Sequence, residues 1–207
     1  MNMRLREARR DPYRRLAAAQ GYRSRAAFKL IQIDKRYHIF QEGDKVLDLG
    51  SAPGGWLQVA SERVGVEGLV VGVDLKGIQP VAENVVTLKM DVFSEDLVDA
   101  VKTYTKGLVD VLLSDLSPNV SGIWDLDHLR QIELTRRVIS LMPHLLKPSG
   151  SAVLKVFDGE ELQIVRSQLK KIFEKVDITK PPASRGQSSE LYFVCKGYRP
   201  EQDLLQT

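Results

Sequence analysis

Short aliphatic and β-branched runs alternate five times with stretches of helical periodicity, and few architectures accept that alternation. The runs are 46–49, 69–74, 85–90, 109–114 and 152–157, and helical patterns fall near 24–37, 56–64, 95–105, 127–146 and 159–174. Right-handed crossovers between parallel strands place such helices on both faces of a doubly wound sheet. Two further runs, 176–178 and 191–195, flank a polar loop and suit an antiparallel pair at the sheet edge. The expectation is therefore a seven-stranded, mostly parallel sheet with helices on both faces and an antiparallel edge strand. Ser24 is the expected N-cap of the first helix, with Ala27, Leu30 and Ile31 on one face and Lys29 projecting from it.

The turn after the first strand reads Asp48-Leu49-Gly50-Ser51-Ala52-Pro53-Gly54-Gly55-Trp56. It falls where open α/β sheets bind ligands, and its glycines permit close backbone approach. Ala52 and Pro53 replace the glycines that a pyrophosphate cradle uses, and Pro53 has no N–H to give. A nucleoside cofactor without phosphates, such as S-adenosylmethionine, suits this turn better than NAD. Asp74 ends the second strand, 24 residues after Gly50, near the spacing at which an acid accepts from ribose hydroxyls. Asp91 and Asp115 occupy the corresponding ends of the third and fourth strands, so three carboxylates line one crevice. Each acid alone would serve equally well as a loop cap.

Lys155 interrupts the apolar run Val153-Leu154-Lys155-Val156-Phe157. An unpaired buried ammonium is costly, so this lysine lies either at a solvated edge or between carboxylates. Asp115, from the adjacent strand, and Glu190, before the last strand, are the available partners.

The formal net charge of +3 conceals an asymmetry: residues 1–36 carry eleven Lys and Arg against three Asp and Glu, and the remainder is net acidic. Arg4, Arg6, Arg9, Arg10, Arg14, Arg15, Arg23 and Arg25, with Tyr13 and Tyr22 between them, form a segment suited to a polyanion or to a plain solvated tail. Residues 1–23 are assigned to a basic arm, 24–199 to a single domain and 200–207 to a short tail. No apolar run approaches the roughly 20 residues of a membrane helix, and the N-terminus lacks a signal-peptide core. The single cysteine, Cys195, excludes an internal disulfide, fits a reducing cytoplasmic setting and reads as a core residue. His38, His128 and His144 show no metal-ligand spacing, and no metal is assigned.

Five segments together resemble the FtsJ/RrmJ-type ribosomal RNA large-subunit 2'-O-methyltransferases over nearly all of residues 22–197. They are Ser24-Arg25-Ala26-Ala27-Phe28-Lys29-Leu30, the 48–56 turn, Ser114-Asp115-Leu116-Ser117-Pro118-Asn119-Val120-Ser121-Gly122, Leu154-Lys155-Val156-Phe157, and Ser184-Arg185 followed by Ser189-Glu190-Leu191-Tyr192. The resemblance implies a Rossmann-like S-adenosylmethionine-dependent methyltransferase fold and a catalytic tetrad of Lys29, Asp115, Lys155 and Glu190. It implies cofactor contacts from Gly50, Ser51, Pro53, Gly54, Gly55, Trp56, Asp74, Asp91 and Asp115, with Ser51 standing where alanine is common.

The implied reaction is metal-free transfer of the sulfonium methyl to a ribose 2'-hydroxyl, a uridine in 23S-type RNA within the large ribosomal subunit, by a monomer. Lys155 would handle the proton, either as a base or as an ammonium facing the developing alkoxide. The loop at 115–118 lacks the second proline and the aromatic of amino-group methyltransferases, which favours a hydroxyl acceptor. Lys29, Arg136, Arg137 and Arg185 are candidate phosphate contacts, though Arg136 and Arg137 also suit a solvated helix face. Three alternatives remain: a transfer-RNA 2'-O-methyltransferase, a noncatalytic RNA-binding module, and a NAD-dependent oxidoreductase, which the Ala52-Pro53 turn opposes.

Overall fold

A computed structural model of the protein describes residues 11–200. The elements run α1 (Pro12–Ala19), α2 (Ala26–Tyr37), β1 (Lys45–Leu49), α3 (Gly55–Val64), β2 (Leu69–Asp74), β3 (Val85–Lys89), α4 (Leu97–Thr105) and β4 (Val109–Ser114). They continue with α5 (Trp124–Leu145), β5 (Leu146–Phe157), α6 (Leu162–Ile172), β6 (Phe173–Thr179) and β7 (Glu190–Tyr198). The seven strands lie in the order β3-β2-β1-β4-β5-β7-β6. β3, β2, β1, β4 and β5 are mutually parallel, whereas β7 runs against both β5 and β6, giving the expected antiparallel pair at that edge. Strand order reverses between β1 and β4, and a crevice opens at such a point beyond the carboxyl ends of the strands.

Both faces of the sheet are covered, and side chains divide between them with period two. Leu47, Leu49, Leu112, Leu154 and Val156 join Leu141 and Val165 on one face. Val46, Val111, Leu113, Val153, Tyr192 and Val194 join Leu30, Ile33 and Leu57 on the other. Asp48, Asp115, Lys155 and Glu190 share the parity of the second set. The face covered by α2 and α3 therefore carries every charged residue of the crevice that derives from β1, β4, β5 and β7.

Three local expectations change. Ser24 does not cap α2, whose N-cap is Arg25 without a side-chain bond; a Cβ on Gly55 would stand 2.3 Å from Ser24 Oγ, so that hydroxyl faces the start of α3. Ile33 rather than Ile31 completes the buried face of α2, and Lys29 is itself buried. β5 begins at Leu146, earlier than its apolar run, because Leu146 pairs with Val109 ahead of an irregularity before Ser151 resumes pairing.

From Asp11 onward the basic segment is folded. Asp11 accepts from the backbone N–H groups of Tyr13 and Arg14 at 3.1 and 3.2 Å, and Pro12 occupies the first helical turn. Tyr13 and Tyr22 both pack on Phe28, with centroids 5.7 Å away, so neither is a free stacking ring. Arg4, Arg6, Arg9, Arg10 and the tail at 201–207 lie outside the described residues. Among the described residues no helix is long and apolar enough to cross a membrane.

Candidate active site

The Gly50–Trp56 turn spends its backbone donors inside the protein. Gly50 and Ser51 N–H groups donate to Val73 O at 2.9 and 3.2 Å, and Gly54 donates to Ser51 O at 2.7 Å. Ala52 donates to Asp74 Oδ2 at 2.9 Å. With Pro53 contributing no donor, this is not a phosphate cradle. Gly50 is also sterically required: its φ is 81° and a Cβ would meet Leu116 N at 2.8 Å.

The crevice beside this turn is acidic. Asp74 ends β2, while Asp91 and Asp115 lie just past the ends of β3 and β4. Asp74 Oδ1 also accepts from Lys76 N at 2.9 Å, and Asp91 Oδ1 accepts from Phe93 N at 3.0 Å, so both acids brace loops as well. A carboxylate has about four acceptor sites, which leaves both with capacity for a ligand. Asp48 lies fully buried beneath, and neither its oxygens nor Ser51 Oγ has a hydrogen-bond partner. Burial, followed by the charges of Asp115 and Asp74, pushes the Asp48 carboxyl well up. Carboxylates without a phosphate cradle fit a ribose-bearing ligand with a cationic tail, and S-adenosylmethionine is one. Trp56 is placed differently from a ring contact: it is buried, its Nε1–H donates to Ala26 O at 2.8 Å, and it packs on Tyr192.

On the other side of β1 and β4, four charged groups and a phenol close a ring. Lys29 Nζ lies 2.7 Å from Glu190 Oε2 and Lys155 Nζ 3.6 Å from Glu190 Oε1. Lys155 also donates to Asp115 O at 2.8 Å and stands 3.2 Å from its Oδ1. Tyr192 donates to Asp115 Oδ1 at 3.0 Å and accepts from Lys29 at 3.2 Å. The solvated-edge reading of Lys155 is therefore excluded, since the residue is only 5% exposed. Burial alone would raise the Glu190 carboxyl, but Lys29 and then Lys155 overcome it and hold that group below its ordinary value. Burial, reinforced by Asp115 and Glu190, pushes the Tyr192 phenol well up and keeps it a donor.

Tyr192 was assigned no role from sequence, yet its position two residues after Glu190 on a strand places both on one face. Of the candidate phosphate contacts, Arg185 lines a cleft of about 930 Å³ with Arg25, Lys29 and Glu190. Arg136 instead pairs with Glu161 at 3.0 Å, and Arg137 donates to Val92 O at 2.7 Å. Arg136 is thus on the solvated helix face, whereas Arg137 is half-buried and ties α5 to the loop after β3. Cys195 is a buried core residue whose thiol burial pushes up.

A family model described as FtsJ-like methyltransferase matches residues 22–198. "Ribosomal RNA large subunit methyltransferase E" of Methanobrevibacter smithii is 44% identical over 198 residues, covering 95% of this chain and 94% of that protein. The protein of that name from Nitrosopumilus maritimus is 47% identical over 198 residues, covering 95% and 99%. A Plasmodium falciparum structure described as a ribosomal RNA methyltransferase superposes with TM-score 0.78 at 30% identity, covering 86% of this chain and 98% of that one. Fibrillarin of Aeropyrum pernix, solved with natively bound S-adenosyl-L-methionine, gives TM-score 0.57 at 17% identity over 84% and 75% of the two chains, a likeness of fold alone.

Proposed function

Because the chain belongs to the FtsJ-like methyltransferase family, we propose that it methylates a ribose 2'-hydroxyl, that of a uridine, in large-subunit ribosomal RNA, and that Lys29, Asp115, Lys155 and Glu190 are its catalytic groups. It is a methyltransferase, and S-adenosylmethionine supplies an electrophilic methyl on a sulfonium. The Gly50–Trp56 turn, Asp74, Asp91 and Asp115 hold that cofactor. The substrate class follows the relatives named above, which match nearly the whole chain. All members of the ring come from one chain, which supports a monomer as the working unit.

The observation that carries the reading is the pair of ammonium groups, Lys29 and Lys155, held by the shared carboxylate of Glu190, with Asp115 on Lys155, beside the acidic crevice. As the sulfonium S–CH3 bond breaks and the O–CH3 bond forms, the hydroxyl gives up its proton to solvent, and preorganised cations stabilise the negative character that develops on the oxygen. An amine acceptor would gain positive charge on alkylation, and the same two lysines would oppose it. Lys155 is the group assigned to the acceptor oxygen. Asp115 fixes it through both backbone and side-chain oxygens, and Glu190 bridges it to Lys29. Gln131 Nε2 donates to Lys155 O at 3.1 Å and fixes the strand beneath.

The test is transfer of labelled methyl to purified large ribosomal subunits, free ribosomal RNA and bulk transfer RNA, with nucleosides identified by mass spectrometry. A 2'-O-methyluridine in ribosomal RNA is the expected product. Label confined to transfer RNA moves the substrate, a base-methylated product removes the hydroxyl acceptor, and no label in any RNA overturns the reading.

A further inference from the structure

The cleft that holds Lys29 and Glu190 has an aromatic wall that the transfer chemistry does not use. Trp124, the first residue of α5, is 48% exposed in that cleft. Its ring lies nearly parallel to His128, at 6.0 Å and 20°, and to Phe157, at 6.1 Å and 22°. The support behind it is closely packed. His128 is buried with neither ring nitrogen hydrogen-bonded, and a Cβ on Gly159 would stand 2.3 Å from its Cε1, so the imidazole lies directly on the backbone. Asp127 accepts from Ser121 N and Oγ, both at 2.8 Å, and from Gly122 N at 3.1 Å, which ties the preceding loop to the start of α5.

The wall stands beside the reacting groups. Phe157 follows Lys155 by two residues on the same face of β5, about 7 Å along the strand, and pairs in register with Glu190. That distance is the scale of one nucleotide. Strand order sets β5 and β7 on one side of β1 and β4, and β2 and β3, with Asp74 and Asp91, on the other. The aromatic wall therefore lies on the acceptor side and away from Asp74 and Asp91. The same cleft supplies cations: Arg25 and Arg185 both lean on the Asp11 carboxylate, Arg185 Nε at 3.6 Å. Each guanidinium has five donors, leaving several for a phosphate. A half-exposed indole backed by two further rings, with guanidinium groups in the same cleft, matches how unpaired bases and their phosphates are bound.

We infer that Trp124, backed by Phe157 and His128, is a stacking platform for an unpaired base of the acceptor RNA beside the reacting ribose. The inference rests on the ribose-methylation reading and adds a positioning residue to it. Trp124→Ala and Trp124→Leu are expected to raise the KM for transcribed large-subunit ribosomal RNA by about 10- to 100-fold. Trp124→Phe should stay within a few-fold of wild type, and affinity for S-adenosylmethionine, measured by calorimetry, should not change in any of the three. The leucine variant keeps apolar bulk in place of the ring, so a loss there reports stacking rather than collapse of α5.

Fluorescence gives a second readout, because Trp56 is buried and Trp124 is the other tryptophan of the chain. A short single-stranded oligoribonucleotide should quench the wild-type emission, and the same ribose–phosphate chain without bases should not. Wild-type KM values in the Ala and Leu variants, or equal quenching by the chain without bases, would overturn the proposal. Failure of the underlying reading is distinguishable, since wild-type enzyme would then methylate no RNA before any Trp124 variant is compared.

Discussion

On the side of β1 and β4 proposed to hold the cofactor, the Gly50–Trp56 turn is held by groups close in the chain: Ala52 reaches Asp74 across 22 positions, and Gly54 reaches Ser51 across one turn. On the proposed acceptor side, Lys29 meets Glu190 across 161 positions, Tyr192 meets Asp115 across 77, and Lys155 meets Asp115 across 40. The first region is a local structure carried by one strand-turn-helix unit and its neighbour. The second exists only after α2, β4, β5 and β7 have docked on one face of the sheet. A substitution on the cofactor side should therefore change binding of one ligand, whereas one in the ring should change the chemical step through several partners at once.

Lys155→Ala tests the ring most severely. It removes the group that meets Asp115 and Glu190, and the single-turnover rate should fall on the order of 10²–10⁴-fold while the dissociation constant for S-adenosylmethionine stays unchanged. A near-normal rate with cofactor bound would remove Lys155 from the mechanism. Asp74→Ala should do the reverse: two backbone N–H groups lose their acceptor, and cofactor affinity should fall about 10- to 100-fold, as for loss of a charge-assisted hydrogen bond, with the rate at saturating cofactor retained. Equal losses of affinity and rate in both variants would erase the distinction between the two sides.

The same contrast explains what was legible in the sequence. β2 and β4 were readable to the residue because apolar runs bounded by polar turns leave little choice, even with Asp110 inside the second, and the Gly50–Trp56 turn was readable because its chemistry is local. Pro53 alone already argued against a phosphate cradle. Lys155 was conspicuous as a charge within an apolar strand, but the tetrad came from resemblance, since no local pattern states that Lys29 on a helix meets Glu190. Period-two parity did hold more than was extracted: Val111, Leu113 and Asp115 share a face, as do Val153, Lys155 and Phe157, and Glu190, Tyr192 and Val194. Tyr192 was therefore within reach of the pattern. The tyrosines of the basic segment misled for the opposite reason, because composition cannot tell a ring that packs on Phe28 from one that awaits a base.

Tyr192→Phe refines the picture at smaller scale. The ring keeps its packing on Trp56, but Asp115 loses a donor and Lys29 an acceptor. A hydrogen bond to a charged group contributes about 1.5–3 kcal/mol, but the phenol touches the ring rather than the acceptor, so only part of that reaches the transition state and the single-turnover rate should fall roughly 10-fold with cofactor affinity intact. A loss as large as that of Lys155→Ala would make the phenol an equal partner in the chemistry.

Asp48 and Glu190 provide the smallest effects, read in stability rather than turnover and opposite in sign. The Glu190 carboxyl is held below its ordinary value in the folded protein, so its stabilisation is present above the unfolded-state pKa and is lost as pH falls through the folded one. Asp48 is pushed up, so the folded state is favoured while it is protonated, and stability declines as pH rises from the unfolded-state pKa toward the raised folded one. Asp48→Asn keeps the shape and removes that decline. Thermal melts should show the variant above wild type at neutral pH, with the gap closing as pH falls below the ordinary carboxylate range, and each kcal/mol appearing as about 2–4 °C for a domain of this size. Glu190→Gln should invert the pattern, lying below wild type at neutral pH and converging with it in acid. Parallel curves for the two variants would show that the two carboxylates experience the same field, and that the division between an uncompensated buried acid and a lysine-compensated one is wrong.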